Sequence, residues 1–578
     1  MIRLTELKLP LNHSPADLDS LVRKTLSVPA AQTLRVQLFK RSVDARKAEL
    51  VWVYIVDVEL ADVAVQQAAL SHCAGNRHVM VAPDMAYQQV CSAPAGWPAH
   101  GNLRPVVVGF GPCGIFAALL LAQMGLRPIV LERGKAVRER TRDTWDLWRK
   151  GVLHPESNVQ FGEGGAGTFS DGKLWSQIKD PRYLGRKVMH EFVRAGAPPD
   201  ILVQAHPHIG TFKLVKVVEN MRAQIIALGG EIRFGQRVTD LAIDEVPVDA
   251  QGRTRQVRAL TVLDLATAAN YELRADHVVL ALGHSARDTF AMLYQRGVAM
   301  QAKPFSIGFR IEHPQSLIDR ARWGRHAGQP LLGAAEYKLV HHASNGRSVY
   351  SFCMCPGGTV VAATSEPGRV VTNGMSQYSR NERNANAGIV VGIDPSDFPL
   401  EDAAFRAVLG LPTDSGGLVE GAAGAQHPLA GIVLQRQLES AAYVLGGETY
   451  AAPGQLVGDF IAGRPSTRWG AVQPSYKPGV TLGDLSSALP GYAIQAVREA
   501  LPVFGRKIKG FDMADAVLTG VETRTSAPLR ITRDDDLQSA NVRGLYPAGE
   551  GAGYAGGILS AGVDGIRVAE ALGRCLVA

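Results

Sequence analysis

Short apolar runs separated by helical stretches dominate the chain after residue 104. Pro105–Val108 and Pro128–Leu131 are continuous apolar runs, and the longer apolar stretch Ile115–Met124 lies between them. This alternation predicts two buried parallel strands joined by a helix. Further along, Lys213–Leu228 has the pattern of a helix, and Asp276–Gly283 that of a strand that returns to the same sheet. The pattern therefore predicts an α/β fold of the Rossmann type.

A smaller α/β module is predicted at residues 1–91. Ser14–Leu26 begins with a Ser-Pro pair, which is typical of a helix N-terminus. Leu34–Phe39 and Leu50–Leu60 have the composition of strands. The basic stretch Lys40–Lys47 between them predicts a turn, which either is simply solvated or contacts phosphates.

An α+β substrate domain is predicted to be inserted into the Rossmann fold. Strands are expected at Phe305–Glu312 and at Val349–Cys355. The second strand ends in Pro-Gly-Gly, so Val360–Ala363 is expected to pair back as a hairpin. The predicted organisation is an N-terminal module at 1–91, a linker at 92–102, a discontinuous nucleotide-binding domain at 103–300 and 516–578, and a substrate domain at 301–515.

A glycine-rich turn joins the first strand of the Rossmann pattern to its helix. Gly109, Gly111 and Gly114 form a G-x-G-x-x-G motif. The first glycine permits a tight turn, the second lets the backbone approach a pyrophosphate, and the third lets the helix pack on the strand. The helix N-terminus adds a partial positive charge. Glu132 ends the second strand and can accept both ribose hydroxyls of an adenosine, which favours FAD or NAD over NADP.

A second motif near residue 550 favours FAD over NAD. Residues 544–550 form a short strand ending in Gly-Glu, and a Gly-rich turn and the helix Ile558–Leu576 follow. Two-domain flavoproteins close their FAD site in this way, and the sequence resembles them. By that resemblance Glu550 bonds the ribityl chain. The helix N-terminus near Gly556 and Gly557 would face the flavin pyrimidine edge, where its dipole stabilises negative charge.

A second Gly-rich loop lies at Phe161–Leu174. Five glycines in these 14 residues exclude a stable helix. We expect this loop to contact the flavin or the substrate.

Six motifs together resemble one bacterial family of uncharacterised FAD-dependent dehydrogenases, within the glutathione-reductase-like superfamily of NAD(P)/FAD-dependent oxidoreductases. They lie at residues 106–134, 157–174, 281–290, 350–361, 520–531 and 544–565. The resemblance implies non-covalently bound FAD and assigns no substrate. The predicted cofactor-binding residues are Gly109, Gly111, Pro112, Cys113, Gly114, Glu132, Arg133, Gly164, Gly165, Gly167, Thr168, Asp171, Gly172, Lys173, Gly283, His284, Gly549, Glu550, Gly556 and Gly557.

Three residues are candidates for catalysis. Strand alternation puts Cys353 and Cys355 on one face, where they are either a redox pair near the flavin or two small residues packed on a strand. Arg524 is expected either to bind a substrate carboxylate, to stabilise reduced flavin, or to form a structural salt bridge.

The amide-rich stretch 371–386 either lines a polar pocket or forms capped turns. The histidines lack metal-ligand spacing, so no metal site is predicted.

Composition sets the expected environment. Hydrophobic residues make up 46% and charged residues 20% of the 578 residues, which is typical of a folded protein. The six scattered cysteines indicate a reducing compartment. The chain has no signal-peptide core and no apolar run long enough to span a membrane, so a cytoplasmic protein is expected. The net charge of +7 permits an acidic partner such as RNA.

These observations predict an FAD-dependent oxidoreductase that transfers hydride between flavin N5 and either NAD(P)H or an unidentified small-molecule substrate. The chain shows no separate nicotinamide-binding domain and no C-x-x-C, so we expect NAD(P)H to visit the substrate face only transiently. An FAD-dependent tRNA- or RNA-modifying enzyme is the alternative, and a non-catalytic flavin-binding protein is a third hypothesis. The lack of a G-x-S-x-G elbow and of a phosphate-binding P-loop argues against a hydrolase or a nucleoside triphosphatase.

Overall fold

The computed structural model describes residues 1–46, 49–98, 102–401, 403, 405–406 and 427–577. Its N-terminal part is an antiparallel sheet of order β2-β3-β1-β4 covered by two helices. The elements are β1 (Ile2–Pro10), α1 (Pro15–Leu26), β2 (Thr33–Asp44), β3 (Val51–Leu60), α2 (Val63–His72) and β4 (Val79–Val81). The sequence predicted α1, β2 and β3, and missed the other three.

The basic stretch Lys40–Lys47 is largely strand rather than turn. β2 continues to Asp44 because Lys40–Asp44 pair with Val51–Ile55 across the ladder to β3. Arg46 forms an ion pair with Asp44, and Lys47 lies outside the described residues. The turn is therefore shorter than predicted.

A five-stranded parallel sheet forms the Rossmann core. Its order is β22-β11-β5-β6-β7. The chain adds β6 and β7 on one side of β5 and then β11 and β22 on its other side. Ligands bind at the carboxyl ends of the strands where such a reversal occurs. The strands are β5 (Val106–Val108), β6 (Ile129–Glu132), β7 (Glu231–Phe234), β11 (Val278–Leu280) and β22 (Leu545–Pro547).

Helices and a β-meander surround this sheet. The meander is antiparallel, in the order β10-β9-β8, and consists of β8 (Gln236–Glu245), β9 (Arg255–Asp264) and β10 (Ala269–Arg274). The helices are α3 (Pro112–Gln123), α4 (Val137–Lys150), α5 (Leu184–Arg194), α6 (Thr211–Ala227), α7 (Arg287–Gln295) and, at the end of the described chain, α12 (Ile558–Val577).

The inserted region contains an eight-stranded sheet of order β14-β15-β17-β13-β20-β18-β19, with β16 paired to β15. Its strands are β13 (Phe305–Pro314), β14 (Val340–His342), β15 (Ser348–Ala362), β16 (Thr372–Ser376), β17 (Asn384–Ile393), β18 (Ala452–Leu456), β19 (Val480–Leu482) and β20 (Val517–Glu522). Its described helices are α8 (Gln315–Trp323), α9 (Ala430–Leu445), α10 (Val457–Ala462) and α11 (Gly491–Lys507). The short strands β12 (Met300–Ala302) and β21 (Leu529–Ile531) pair with each other at the junction with the Rossmann core.

Two expectations about this region are corrected. The predicted hairpin is wrong, because β15 is one strand of 15 residues and Val360–Ala362 pair with β16 instead of folding back on Val349–Cys355. The strand β20 was assigned to the nucleotide-binding domain by the boundary at residue 516, yet it pairs with β13 and β18. Hydrogen bonding therefore extends the inserted sheet to Glu522. The other domain boundaries stay predictions.

The N-terminal module is joined to the Rossmann domain through its edge strand. The Arg41 backbone donates to the Val203 carbonyl (2.6 Å) and accepts from the Ala205 N–H (3.0 Å). This short parallel bridge connects β2 to the segment that follows α5. None of the helices in the described ranges is long and apolar enough to cross a membrane.

Candidate active site at the carboxyl ends of the parallel strands

A cavity of about 1580 Å³ opens at the carboxyl ends of the parallel strands. Its walls come from the Rossmann domain, the inserted domain and the N-terminal module. The predicted cofactor-binding residues all line it except Gly114, Gly164, Thr168 and Gly549. Cys353 and Arg524 line it as well, whereas Cys355 is buried behind the wall. The structure thus brings together residues more than 400 positions apart.

The G-x-G-x-x-G turn has the geometry that its glycines imply. Gly109 has φ +98°, and a Cβ there would lie 3.0 Å from the carbonyl carbon of Ala281 on the neighbouring strand. A Cβ at Gly114 would lie 3.0 Å from the Gly109 carbonyl carbon and closer still to its oxygen. Gly114 therefore holds α3 against β5, and it contributes to the site without reaching the cavity. The first turn of α3 lines the cavity and presents the positive end of the helix dipole.

Glu132 is buried at the cavity wall and already bonded to the backbone. Its carboxylate accepts the N–H groups of Phe110 (2.8 Å), Gly134 (2.8 Å) and Gly162 (2.9 Å). A carboxylate has about four acceptor positions. In this arrangement one position is left for a ribose hydroxyl, so acceptance from both hydroxyls stays a prediction.

Arg140 holds the second Gly-rich loop and was not anticipated. It is fully buried, and its guanidinium donates to the carbonyls of Asn158, Val159, Glu163 and Gly165 at 2.7–2.9 Å. Burial lowers its pKa to about 10. In the sequence it is one of several arginines on an amphipathic helix, and such residues normally face solvent. Nothing local therefore singled it out.

Other residues of the loop are held by charged partners. Arg380 of the inserted domain forms an ion pair with Asp171 (2.5 Å). The Lys173 ammonium donates to the carbonyl oxygen of Met354. The predicted loop is thereby tied directly to the inserted domain. Arg133, which follows Glu132 at the end of β6, forms ion pairs with Glu156 and Asp288.

The closing motif places a second helix N-terminus at the cavity. Gly556 and Gly557 line the cavity immediately before α12. The N–H of Gly549 donates to Asp564 (2.8 Å), which is paired with Arg533. A Cβ at Gly549 would lie 2.8 Å from the Cβ of Cys113, so this glycine allows the two motifs to meet. Burial raises the pKa of Glu550 to about 7.

Arg524 and His284 belong to a buried polar cluster at the cavity wall. Arg524 donates to both carboxylate oxygens of Glu439 (3.0 and 2.9 Å), and Arg287 also pairs with Glu439. The positive charge of Arg524 is therefore paired with the Glu439 carboxylate. A structural salt bridge of this kind was one of the three roles considered for Arg524 from the sequence. Burial and the two arginines lower the pKa of His284 to about 3, so its imidazole is neutral at pH 7.

The inserted domain supplies the wall that carries Cys353. Cys353 has φ +41°, and its carbonyl accepts from Arg310 (2.9 Å) and from the Cys355 thiol (3.3 Å). Arg310 is fully buried and paired with Glu522 (2.6 Å). Nothing in the sequence pointed to Arg310, which lies within the apolar strand β13. Asn373 and Tyr378 of the amide-rich stretch also line the cavity.

The N-terminal module completes the cavity. Arg41, Ser42 and Trp52 line it, and the Arg41 guanidinium lies 4.6 Å from the centre of the Trp52 ring. Of the module's basic residues, Arg41 faces the cavity and Arg46 is paired with Asp44. A role for these residues in RNA binding stays a prediction. Outside the cavity, Asp143, Asp146 and His154 bring three potential metal ligands together, and Lys135 and Lys150 pair with the two carboxylates.

The residues present fit a dinucleotide. Two helix N-termini face one cavity, where they can bind or stabilise negative charge. Gly111 and Gly165 lie close together, and a Cβ on Gly111 would lie 3.5 Å from the Gly165 Cα. Because neither residue has a side chain, both present their backbone to the cavity. The remaining acceptor position of Glu132 matches a ribose hydroxyl.

Comparison with known proteins agrees with this arrangement. Residues 304–525 match a family model described as "FAD-dependent protein, C-terminal domain-like", and residues 1–59 match a domain model of unknown function. An uncharacterized protein of Clostridium beijerinckii is 42% identical over 575 residues, which cover 98% of each chain.

Solved flavoenzymes give much weaker similarity. A 3-ketosteroid-Δ4-(5α)-dehydrogenase from Rhodococcus jostii is 12% identical, with a TM-score of 0.33, over 85% of this chain and 100% of that one. A glycerol-3-phosphate dehydrogenase from Bacillus halodurans, complexed with FAD, is 13% identical, with a TM-score of 0.26, over 51% and 49%. TM-scores this low do not establish a shared overall arrangement. The 42% identity over nearly the whole chain and the match to the family model do establish a family relationship. The chain belongs, with its Clostridium relative, to a bacterial family of FAD-dependent proteins, and its cofactor is FAD.

Proposed function

We propose that the protein is an FAD-dependent oxidoreductase that exchanges a hydride equivalent between flavin N5 and either NAD(P)H or a small-molecule substrate. The observation that carries the proposal is the shared cavity, which has the cofactor motifs on one wall and the inserted domain on the other. Its volume exceeds the roughly 300–1,000 Å³ of ordinary ligand pockets. There is therefore room for a second molecule beside the cofactor.

The bound FAD would supply the two-electron chemistry, and the protein supplies position and charge. The first turn of α3 and the backbone at Gly111 would hold the pyrophosphate, and Glu132 would accept a ribose hydroxyl. The N-terminus of α12 would stabilise negative charge near Gly556 and Gly557.

Glu550 is the group in this wall best suited to hold or release a proton near neutral pH. A general acid or base works best when its pKa lies close to the working pH. Burial raises the pKa of Glu550 to about 7, whereas the neutral His284 would become protonated only in acid. We infer that the Glu550 carboxyl is protonated in part of the molecules at pH 7 and donates or accepts a hydrogen bond accordingly.

Anaerobic visible spectroscopy of the purified protein tests the proposal. Flavin absorbance that bleaches on addition of NADH or NADPH would identify a nicotinamide-driven reductase. If it persists, a metabolite screen for bleaching follows. A flavin that neither nicotinamides nor any metabolite reduces would contradict an oxidoreductase and favour a non-catalytic flavin-binding protein.

A further inference from the structure

Two cysteines interrupt the regularity of strand β15 at the cavity. The register with β17 shifts between Phe352 and Cys355 and again between Cys355 and Gly358. Cys353 has φ +41°, in the left-handed region that residues with a side chain rarely adopt. Such a conformation is strained and persists where the surroundings hold it, often at functional sites. The regular alternation assumed from the sequence is therefore replaced by a local distortion centred on the two cysteines.

The distortion brings the Cys355 thiol against the backbone of Cys353. The Cys355 thiol donates to the Cys353 carbonyl oxygen at 3.3 Å. Cys353 lines the cavity, while Cys355 is fully buried behind it. Cys353 can thus be reached from the cavity, and the Cys355 sulfur lies behind it, next to the Cys353 backbone.

The charges around the pair favour a thiolate at Cys353. The Cys355 thiol, and then the nearby Arg310 and Lys173, hold the pKa of Cys353 below its usual range despite burial. The pKa of Cys355 is raised by its neighbour and by burial, so the pair shares one negative charge. The thiolate is the reactive form of cysteine.

The pair also shares the cavity with both cofactor elements. Lys173 of the second Gly-rich loop bonds to the carbonyl of Met354, between the two cysteines. Glu550 of the closing motif lines the same cavity as Cys353, and the pKa of the Glu550 carboxyl is raised by burial first and then by Cys353.

We propose that Cys353 and Cys355 form a redox-active dithiol that exchanges an electron pair with FAD. In the oxidative direction, the Cys353 thiolate, the Cys355 thiol and oxidised FAD give one disulfide and the singly protonated, anionic reduced flavin. The S–H bond of Cys355 breaks, the S–S bond forms, and the electron pair and the proton pass to FAD. The reverse reaction opens the disulfide. This inference rests on the proposed function and specifies how electrons leave or enter the flavin site.

A reductive titration tests the proposal on the holoenzyme. After mild oxidation, anaerobic titration with dithionite should require about four electrons per FAD, two for the flavin and two for the disulfide. Cys353→Ser, and separately Cys355→Ala, should lower this to about two. Cys575→Ser, which changes a cysteine at the protein surface, is the matched control and should still require about four.

A second readout needs no flavin. Trypsin should release residues 348–369 as one peptide, which contains Cys353 and Cys355 and no other cysteine. In the wild-type protein, equilibrated with oxidised dithiothreitol and then alkylated, this peptide should resist alkylation and carry an internal disulfide. If a protein that binds FAD requires only two electrons and both thiols alkylate after oxidation, the dithiol proposal is wrong while the proposed function stands. A chain whose FAD no donor reduces, but whose peptide forms the disulfide, would contradict the proposed function instead.

Discussion

Replacing Gly114 with alanine tests whether helix α3 must lie this close to strand β5. A Cβ at this position would lie 3.0 Å from the carbonyl carbon of Gly109 and closer to its oxygen, and both atoms belong to the backbone. Neither can rotate away as a side chain could. The helix would have to shift outward, and its first turn lines the cavity where the pyrophosphate is proposed to bind.

Two opposing effects set the size of the change. Alanine is favoured over glycine inside a helix by about 1 kcal/mol. Overpacking a tight contact costs about 1–3 kcal/mol, and here the contact is with rigid backbone, so we expect the upper part of that range. The net effect should be destabilising. A loss of about 1.4 kcal/mol in the binding step corresponds to tenfold weaker binding, which is the least we expect for FAD.

The assay is a fluorescence titration of FAD into flavin-free protein, accompanied by thermal unfolding with and without FAD. Gly491→Ala is the control, because this glycine begins α11, does not have a positive φ, and would present a Cβ to open space with no atom within 4 Å. It should leave FAD affinity unchanged. If Gly114→Ala binds FAD as tightly and unfolds at the same temperature as the wild-type protein, close packing at Gly114 does not shape the site.

Three further predictions follow from buried polar groups. Arg140→Met removes the donors to four carbonyls in and just before the second Gly-rich loop, and should weaken FAD binding at least tenfold in the same titration; unchanged affinity would contradict a loop held by Arg140. Glu439→Gln leaves the buried Arg524 without a carboxylate and Arg287 with Glu366 alone, and should lower unfolding stability by about 3–5 kcal/mol, against less than about 1 kcal/mol for the exposed Glu272→Gln. Because the pKa of Glu439 is held well below its usual value, this stabilisation should be present at neutral pH and be lost only in strong acid; loss already at pH 5 would refute it. Glu550→Gln should stabilise the flavin-free protein more at pH 8 than at pH 5, since a carboxyl whose pKa rises to about 7 on folding destabilises the fold as pH increases from about 4.3 through 7; equal shifts in the unfolding temperature at both pH values would contradict this.

Local sequence was sufficient for the Rossmann core and its motifs. The apolar runs at Val106–Val108 and Ile129–Glu132 are buried on both faces of a parallel sheet, so their pattern is continuous and can be recognised without a partner. The glycines of the first motif can be recognised from their spacing alone, and the φ of +98° at Gly109 is a local reason for glycine at that position. Helix α12 was likewise predicted to within a residue at its end.

Tertiary structure decided what faces the cavity from elsewhere. Arg140 and Arg310 look in sequence like an ordinary helix-surface arginine and an isolated charge in a strand, and their partners are carbonyls and side chains that only folding brings near. The hairpin predicted after Cys355 failed because β16 offers β15 a better ladder than β15's own first half. Periodicity records which face of an element is apolar, and it contains no information about which distant element will pair with it. For the same reason the sequence could name Cys353 and Cys355 as a candidate pair, whereas the distortion that exposes one sulfur and buries the other exists only in the folded sheet.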